Sequence, residues 1–77
     1  MHYEITADTC QLPKVVFTQK GLSFDEAKTM AVTLSGAFRE VKVENQITGE
    51  LELNIYTSSE FFTPTCSIAE AFKKAKI

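Results

Sequence analysis

The 77-residue chain has little of what catalytic and cofactor sites are built from: one histidine, two cysteines and three glycines. The glycines are scattered and do not form the glycine-rich loop that cradles phosphates. The histidine is not accompanied by a Cys-x-x-Cys pair, so His2, Asp8, Cys10 and Cys66 lack the spacing of a standard metal site. No serine stands in a recognisable nucleophile motif. We therefore predict a protein that is not an enzyme and holds no cofactor or metal.

Long apolar segments and targeting signals are also missing. No segment approaches the ~20 apolar residues that cross a bilayer, and residues 1–5 lack the basic and apolar regions of a signal peptide. A small secreted scaffold usually carries more than two cysteines, so reduced thiols are favoured over a single Cys10–Cys66 bridge. These absences predict a cytoplasmic protein that does not contact a membrane.

The charge is close to balanced, with eight basic and ten acidic residues and a net charge of −2. This is too mild for a DNA mimic and of the wrong sign for simple phosphate binding. Sheets that bind single strands expose aromatic rings in a basic surround. Here Tyr56 would share the outward strand positions with Glu4, Glu44 and Glu52. Nucleic-acid binding is therefore kept only as the alternative function.

A capped helix is the clearest local signal. Ser23 and Glu26 have the spacing of a capping box, which predicts a helix over about residues 24–35. Gly36 is expected to end it in a left-handed conformation. Val32 falls outside the apolar arc. The residues that share this arc are Phe24, Ala27, Met30, Ala31, Leu34, Ala37 and Phe38.

Alternating patterns elsewhere predict four strands. The period of two over 41–44 and 51–56, with Gly49 between, predicts a hairpin after the helix. Before the helix, residues 3–8 and 14–18 are expected to be strands, and 19–21 the turn into the helix. A second helix would begin at an N-cap near residue 63 or near residue 67.

The element order predicts one α+β domain over residues 1–77: ββαββα, a four-stranded antiparallel sheet with the helices on one face. Two arrangements fit. One is a permuted ferredoxin-like fold, with the first strand at an edge beside the second. The other is a ββαββ sheet with a loosely attached C-terminal helix. Both share one predicted core, which consists of Ile5, Val15, Phe17, Phe24, Met30, Leu34, Phe38, Val41, Val43, Leu51, Leu53 and Ile55.

The adjacent Phe61 and Phe62 are the feature that folding explains least. Neighbouring residues on a strand point to opposite faces, and on a helix they lie 100° apart, so two rings rarely enter one core. Either one ring packs under the second helix and the other is exposed, or a loop buries both. With Tyr56 and Val32, the pair forms the predicted interface with a protein partner, either a second copy in a homodimer or a larger protein.

The run from Ser23 to Tyr56 resembles small accessory proteins of phages and other mobile elements. The similarity is one of pattern over about half of the chain: a short capped helix, then Val-Lys-Val-Glu-Asn-Gln-Ile-Thr-Gly-Glu-Leu-Glu-Leu. Several such proteins are compact sheet-and-helix domains that bind and inhibit a host enzyme, including inhibitors of defence nucleases. The resemblance therefore implies a non-catalytic domain that binds a larger cellular protein, and it transfers no functional residue.

Overall fold

Six elements follow one another in the predicted ββαββα order, which confirms the α+β class. The computed structural model describes residues 2–58 and 60–76. Its strands and helices are β1 (Tyr3–Asp8), β2 (Val16–Leu22), α1 (Phe24–Leu34), β3 (Glu40–Asn45), β4 (Leu51–Tyr56) and α2 (Ile68–Lys74).

The strands form one antiparallel sheet in the order β2-β1-β3-β4. Two hairpins, β1–β2 and β3–β4, lie side by side and meet where Ile5 of β1 pairs with Val43 of β3. Strand β1 is therefore internal, and the edges are β2 and β4. The permuted ferredoxin-like arrangement, which needs the first strand at an edge, is wrong.

Both helices cover the same face of the sheet. Helix α1 packs on the central strands β1 and β3, and α2 lies beside α1. Ala71 of α2 is fully buried, and the ring centre of Phe72 lies 5.1 Å from that of Phe17 and 5.9 Å from that of Phe38. The C-terminal helix is thus part of the core and not loosely attached. Its N-cap is Ser67, whose hydroxyl accepts from the Glu70 amide at 3.1 Å.

The core lies between the central strands and the helices. Its buried apolar members are Ile5, Ala7, Leu22, Ala27, Met30, Ala31, Leu34, Ala37, Phe38, Val41, Val43 and Ala71. Val15, Phe17, Leu53 and Ile55, on or beside the edge strands, are only partly buried, because no further strand of the described residues flanks them. Two predicted core residues, Phe24 and Leu51, are exposed. Phe24 stands at the first position of α1, where its ring packs against Tyr3 at the end of the sheet, with centres 5.3 Å apart.

A bulge extends β2 beyond its predicted end. Lys20 and Gly21 together oppose Glu4 of β1, and Gly21 adopts a φ of 77°. A glycine in the left-handed region is used both in turns and in bulges of this kind. The strand therefore continues to Leu22, and the prediction of a turn at 19–21 is wrong.

A second bulge explains why Leu51 is not in the core. Val43 pairs with Leu53 while Glu44 pairs with Leu51, so Glu52 is the extra residue of β4. The side chain of Leu51 thereby moves to the face opposite the helices, together with Glu44. The Glu52 carboxylate accepts a hydrogen bond of 2.9 Å from the Tyr3 hydroxyl. This hydrogen bond, together with burial and the negative charge of Glu52, raises the pKa of Tyr3.

The start of α1 has the predicted capping box. The Glu26 amide donates to Ser23 Oγ at 3.1 Å, and Glu26 Oε1 accepts from the Ser23 amide at 3.0 Å. The other end differs from the prediction, since Gly36 is not left-handed. Glycine allows the chain to approach closely there: a Cβ at this position would lie 2.7 Å from Thr65 Oγ1, so the Thr65 side chain would have to move.

Replacing Glu26 with glutamine should lower the midpoint of urea denaturation at neutral pH. The hydrogen bond from the Ser23 backbone lowers the pKa of Glu26, so the folded state favours the ionised carboxyl. This contribution is present above the carboxyl pKa of the unfolded chain and is lost as pH falls through the folded pKa. The difference between variant and natural chain should therefore shrink below about pH 4. Glu50→Gln, in the exposed β3–β4 turn, is the control and should show no such difference. A gap that stays constant with pH would contradict the linkage.

Candidate protein-binding surface

The face of the sheet opposite the helices, here called the outer face, is not covered by any part of the chain that the structure describes. Strand pairing arranges its side chains in three rows that cross the sheet from β2 or β1 to β4. The rows are Val16, Asp8, Glu40 and Tyr56; Thr18, Thr6, Lys42 and Asn54; and Glu4, Glu44 and Leu51.

The two central strands give the outer face a band of four carboxylates, called the acidic band. Lys14, Lys20 and Lys42 each place their amino group 3.7–3.8 Å from one of them. Exposed ion pairs of this kind contribute little to stability. The residues of the acidic band are Glu4, Asp8, Glu40 and Glu44.

Within the acidic band, like charges stand directly opposite each other across β1 and β3. Glu4 pairs with Glu44, and Asp8 pairs with Glu40. Such pairs destabilise a sheet. The Gln46 side chain partly offsets the first, since its Nε2 donates to Glu4 Oε1 at 3.2 Å and to Glu44 Oε1 at 3.3 Å. The two pairs lie at opposite ends of the central strands, with Thr6 and Lys42 between them, and three lysines offset part of the repulsion. Like charges paired on an uncovered face are nevertheless difficult to explain by folding alone.

Apolar side chains stand at the rim of the outer face, around the acidic band. Leu51 and Tyr56 on β4 are 51% and 57% exposed, and Val16 on β2 is similarly open. A single exposed apolar residue is ordinary, but several around one uncovered face are typical of an interaction surface.

Tyr56 is held in place by Arg39, a residue that no motif or pattern in the sequence indicates. The guanidinium carbon of Arg39 lies 5.7 Å from the centre of the Tyr56 ring, and Nη2 donates to the Tyr56 hydroxyl at 3.2 Å. Arg39 is only 8% exposed and also donates to the carbonyl oxygens of Thr57 and Cys10, both at 3.2 Å. The exposed ring is therefore preorganised, which lowers the entropy cost of burying it in a complex.

The two phenylalanines after β4 differ in burial. Phe61 is 76% exposed, whereas Phe62 is half-buried in a cleft that Leu12 and Ile68 also line. Both amides donate to the Ser58 carbonyl, at 3.1 and 3.0 Å, so the rings project from one tight turn. One ring is thus exposed and the other partly packed. The role of this pair in an interface stays a prediction.

The four predicted interface residues do not form one surface. Val32, 62% exposed, lies on α1, in the helical layer. Tyr56 lies on the outer face, which is the other side of the molecule. The sequence predicts Val32 outside the apolar arc of the helix and Tyr56 among the outward strand positions, and the structure places these two residues in different layers. A partner that covers the outer face would leave Val32 uncovered.

The cysteines are not linked to each other. Both Cys10 and Cys66 are free and half-buried. Burial, followed by the charges of Asp8 and Glu40, raises the pKa of Cys10, so its thiol stays protonated. Within residues 2–58 and 60–76, no three His, Cys, Asp or Glu side chains are grouped so that they could hold a metal ion. None of the helices described there is long and apolar enough to cross a membrane.

Comparison with known proteins finds no matching family model, no matching curated sequence and no matching solved structure. The resemblance to phage accessory proteins therefore stays a prediction, and the function has to be argued from the outer face itself.

Proposed function

We propose that this chain is a small non-catalytic protein-binding domain that acts in the cytoplasm on a larger cellular protein, as an inhibitor or accessory factor. The observation that carries the proposal is the composition of the outer face. It combines like-charged pairs on its two central strands, which cost stability, with exposed apolar side chains at its rim. The resemblance to host-inhibiting accessory proteins and the two free cysteines favour the same proposal.

The rim residues supply the affinity that such a surface needs. Tyrosine is among the residues that dominate binding energy in interfaces, because it buries a large ring and keeps a polar tip. Tyr56 is already fixed by Arg39, so little rotamer freedom remains to be lost. Val16 lies at the opposite end of the same row and can be buried by the same partner.

The acidic band defines the charge of the partner. Glu4 and Glu44 share only the neutral amide of Gln46, and Lys20 lies near Glu4 alone. A lysine or arginine of the partner would add positive charge beside both carboxylates, so complex formation would relieve more of their repulsion. We therefore propose a protein partner with basic side chains. The same band disfavours the alternative, nucleic-acid binding, because central carboxylates repel phosphates.

Capture of partners from a bacterial lysate, followed by mass spectrometry, tests this function. We expect the tagged chain to retain a larger protein before and after nuclease treatment. The double variant Val16→Ser with Leu51→Ser should weaken that capture by about tenfold or more. Val32→Ser is the matched control, since it removes an equally exposed valine from the helical layer and should leave capture unchanged.

Three results would contradict the proposal. Capture that disappears with nuclease would favour the nucleic-acid alternative. Equal losses for Val32→Ser and the double variant would mean that the outer face is not the docking surface. A chain that retains no protein at all would leave the domain without the proposed partner. Circular dichroism of each variant shows whether the fold is kept.

A further inference from the structure

The two edges of the sheet are protected differently. Strand β2 carries Lys20 and the bulge at Gly21, both of which discourage another chain from adding a strand. Strand β4 has no lysine and no proline. Its charged residue, Glu52, is turned toward the Tyr3 hydroxyl and fixed there at 2.9 Å. The bulge at Glu52 disturbs only the beginning of β4, so residues 53–56 keep a regular edge without the charges and proline that usually block strand pairing.

The backbone of β4 presents hydrogen-bonding groups to this edge. The Thr57 amide donates to the Arg39 carbonyl at 2.9 Å, so Thr57 is directed toward β3. Because the two directions alternate along an antiparallel strand, Leu53 and Ile55 also face β3. Asn54 and Tyr56 consequently direct their N–H and C=O groups to the free edge. These groups can hydrogen-bond another extended strand.

We propose that β4 pairs antiparallel with β4 of a second copy of this chain, with the two-fold axis at Asn54, which joins the two sheets into one of eight strands. This deepens the proposed protein-binding function, on which it rests, by naming the chain itself as one partner. The outer faces of both copies then lie on the same side of a continuous sheet.

The side chains of β4 are complementary to themselves in this register. Asn54 stands opposite its counterpart, where two amide side chains can exchange hydrogen bonds. Leu53 of each copy faces Ile55 of the other, and both are half-buried on the helix side. Leu51 of each copy comes near Tyr56 of the other on the outer face, where both are exposed. No like charges oppose each other.

Charge also favours this orientation. The beginning of β4 is acidic, with Glu50 and Glu52, and its end adjoins the Arg39 guanidinium, which is bound to the Tyr56 hydroxyl. Antiparallel pairing sets the acidic beginning of each strand beside the end of the other, where Arg39 and Glu40 carry opposite charges, and so keeps the two acidic beginnings apart. A parallel arrangement would place the two acidic ends together.

Neighbouring registers fit less well. An axis at Ile55 would move Leu51 beyond the end of the paired strands and leave its side chain uncovered. An axis at Leu53 would bring the bulge at Glu52 next to the axis, opposite Asn54, whereas an axis at Asn54 moves the bulge to the end of the paired stretch, opposite Tyr56. A two-fold axis that passes between two residues would place a helix-side residue of one copy opposite an outer-face residue of the other, because side chains alternate along a strand.

The pairing can be tested on the purified full chain by introducing charges of opposite sign at Asn54 in two variants. Sedimentation should show a dimer at micromolar concentration. Asn54→Lys alone and Asn54→Asp alone should each weaken self-association by about tenfold or more, because like charges would meet at the axis. An equimolar mixture of the two variants should restore the dimer. Thr18→Lys is the matched control: Thr18 lies in the same row of the sheet as Asn54, but on the β2 edge, and its variant should associate like the natural chain.

Several outcomes would overturn the proposal. These are a natural chain that sediments as a monomer at high micromolar concentration, a mixture of the two Asn54 variants that stays monomeric, or equal effects of the Thr18 and Asn54 variants. Dissociation by Phe61→Glu but not by Asn54→Lys would place the dimer contact at the loop after β4. Capture of a larger protein by a monomeric chain would leave the proposed function standing. A dimer that captures no other protein would support the β4 pairing but contradict the proposed binding of a larger protein.

Discussion

Replacing Leu34 with alanine should lower the free energy of unfolding by about 2–5 kcal/mol, as for other buried leucines. Leu34 is fully buried in the core that α1 forms with β1 and β3. Its loss removes apolar contacts and leaves a cavity that a close-packed interior cannot fully close. Domains of this size are stable by only about 5–10 kcal/mol, so the variant should be partly unfolded at body temperature. Urea denaturation followed by circular dichroism measures the change.

The matched control for this variant is Val32→Ala on the same helix. Val32 is exposed, and alanine has the higher helix propensity, so the expected change stays within about 0.5 kcal/mol. Comparable losses for Leu34→Ala and Val32→Ala would contradict the assignment of the buried face of α1. The slope of the denaturation curve should be similar in both variants, because the unfolded surface is nearly unchanged.

Replacing Arg39 with leucine should cost about 3 kcal/mol. Leucine retains much of the apolar volume but removes the donors that satisfy the Cys10 carbonyl, the Thr57 carbonyl and the Tyr56 hydroxyl. The two carbonyls are part-buried, so leaving them without a donor adds to the loss, whereas the Tyr56 hydroxyl, on an exposed ring, can bind water instead. The expected result is a large drop in the thermal and urea midpoints, together with a more mobile Tyr56 ring. Nuclear magnetic resonance of the ring protons would report that mobility.

Two further substitutions separate charge from hydrogen-bond geometry at this site. Arg39→Lys keeps the charge, but one ammonium cannot reproduce the fork of a guanidinium, so an intermediate loss is expected. Lys42→Leu removes an exposed cation from the outer face and should change stability by about 0.5 kcal/mol at most. An Arg39→Leu variant as stable as the natural chain would show that the three hydrogen bonds add nothing.

The elements with local signals could be predicted from the sequence. Helix α1 was predicted within one residue because Ser23 and Glu26 report its start and the apolar arc reports its length. Strands β3 and β4 follow from alternation around Gly49, whose φ of 76° suits the turn. These signals depend on residues close together in the chain, and a single sequence contains them in full.

Strand order and bulges could not be predicted in this way. Whether β1 is internal depends on its pairing with β3, and alternation is the same for an edge strand and an internal one. The bulge at Glu52 shifts Leu51 to the other face only because of how β4 meets β3. Gly21 was interpreted as a turn since both a turn and a bulge use its positive φ.

In the candidate site, too, features with a local signal could be predicted and features that depend on distant contacts could not. The adjacent Phe61 and Phe62 were found because two neighbouring rings conflict with any single core. Arg39 was missed, since its acceptors lie 18 and 29 residues away and nothing at the junction of α1 and β3 indicates them. The free edge of β4 could not be predicted either, because β4 is an edge strand only as a result of the strand order.

The internal position of β1 has a consequence for the order in which the chain can fold during synthesis. Of the four strands, β1 is made before the others, yet one of its two neighbours is β3, which is made only after α1. Until then the nascent chain offers an isolated β1–β2 hairpin, and a two-stranded hairpin is marginally stable in water. The centre of the sheet can therefore close only after Glu40–Asn45 has been made.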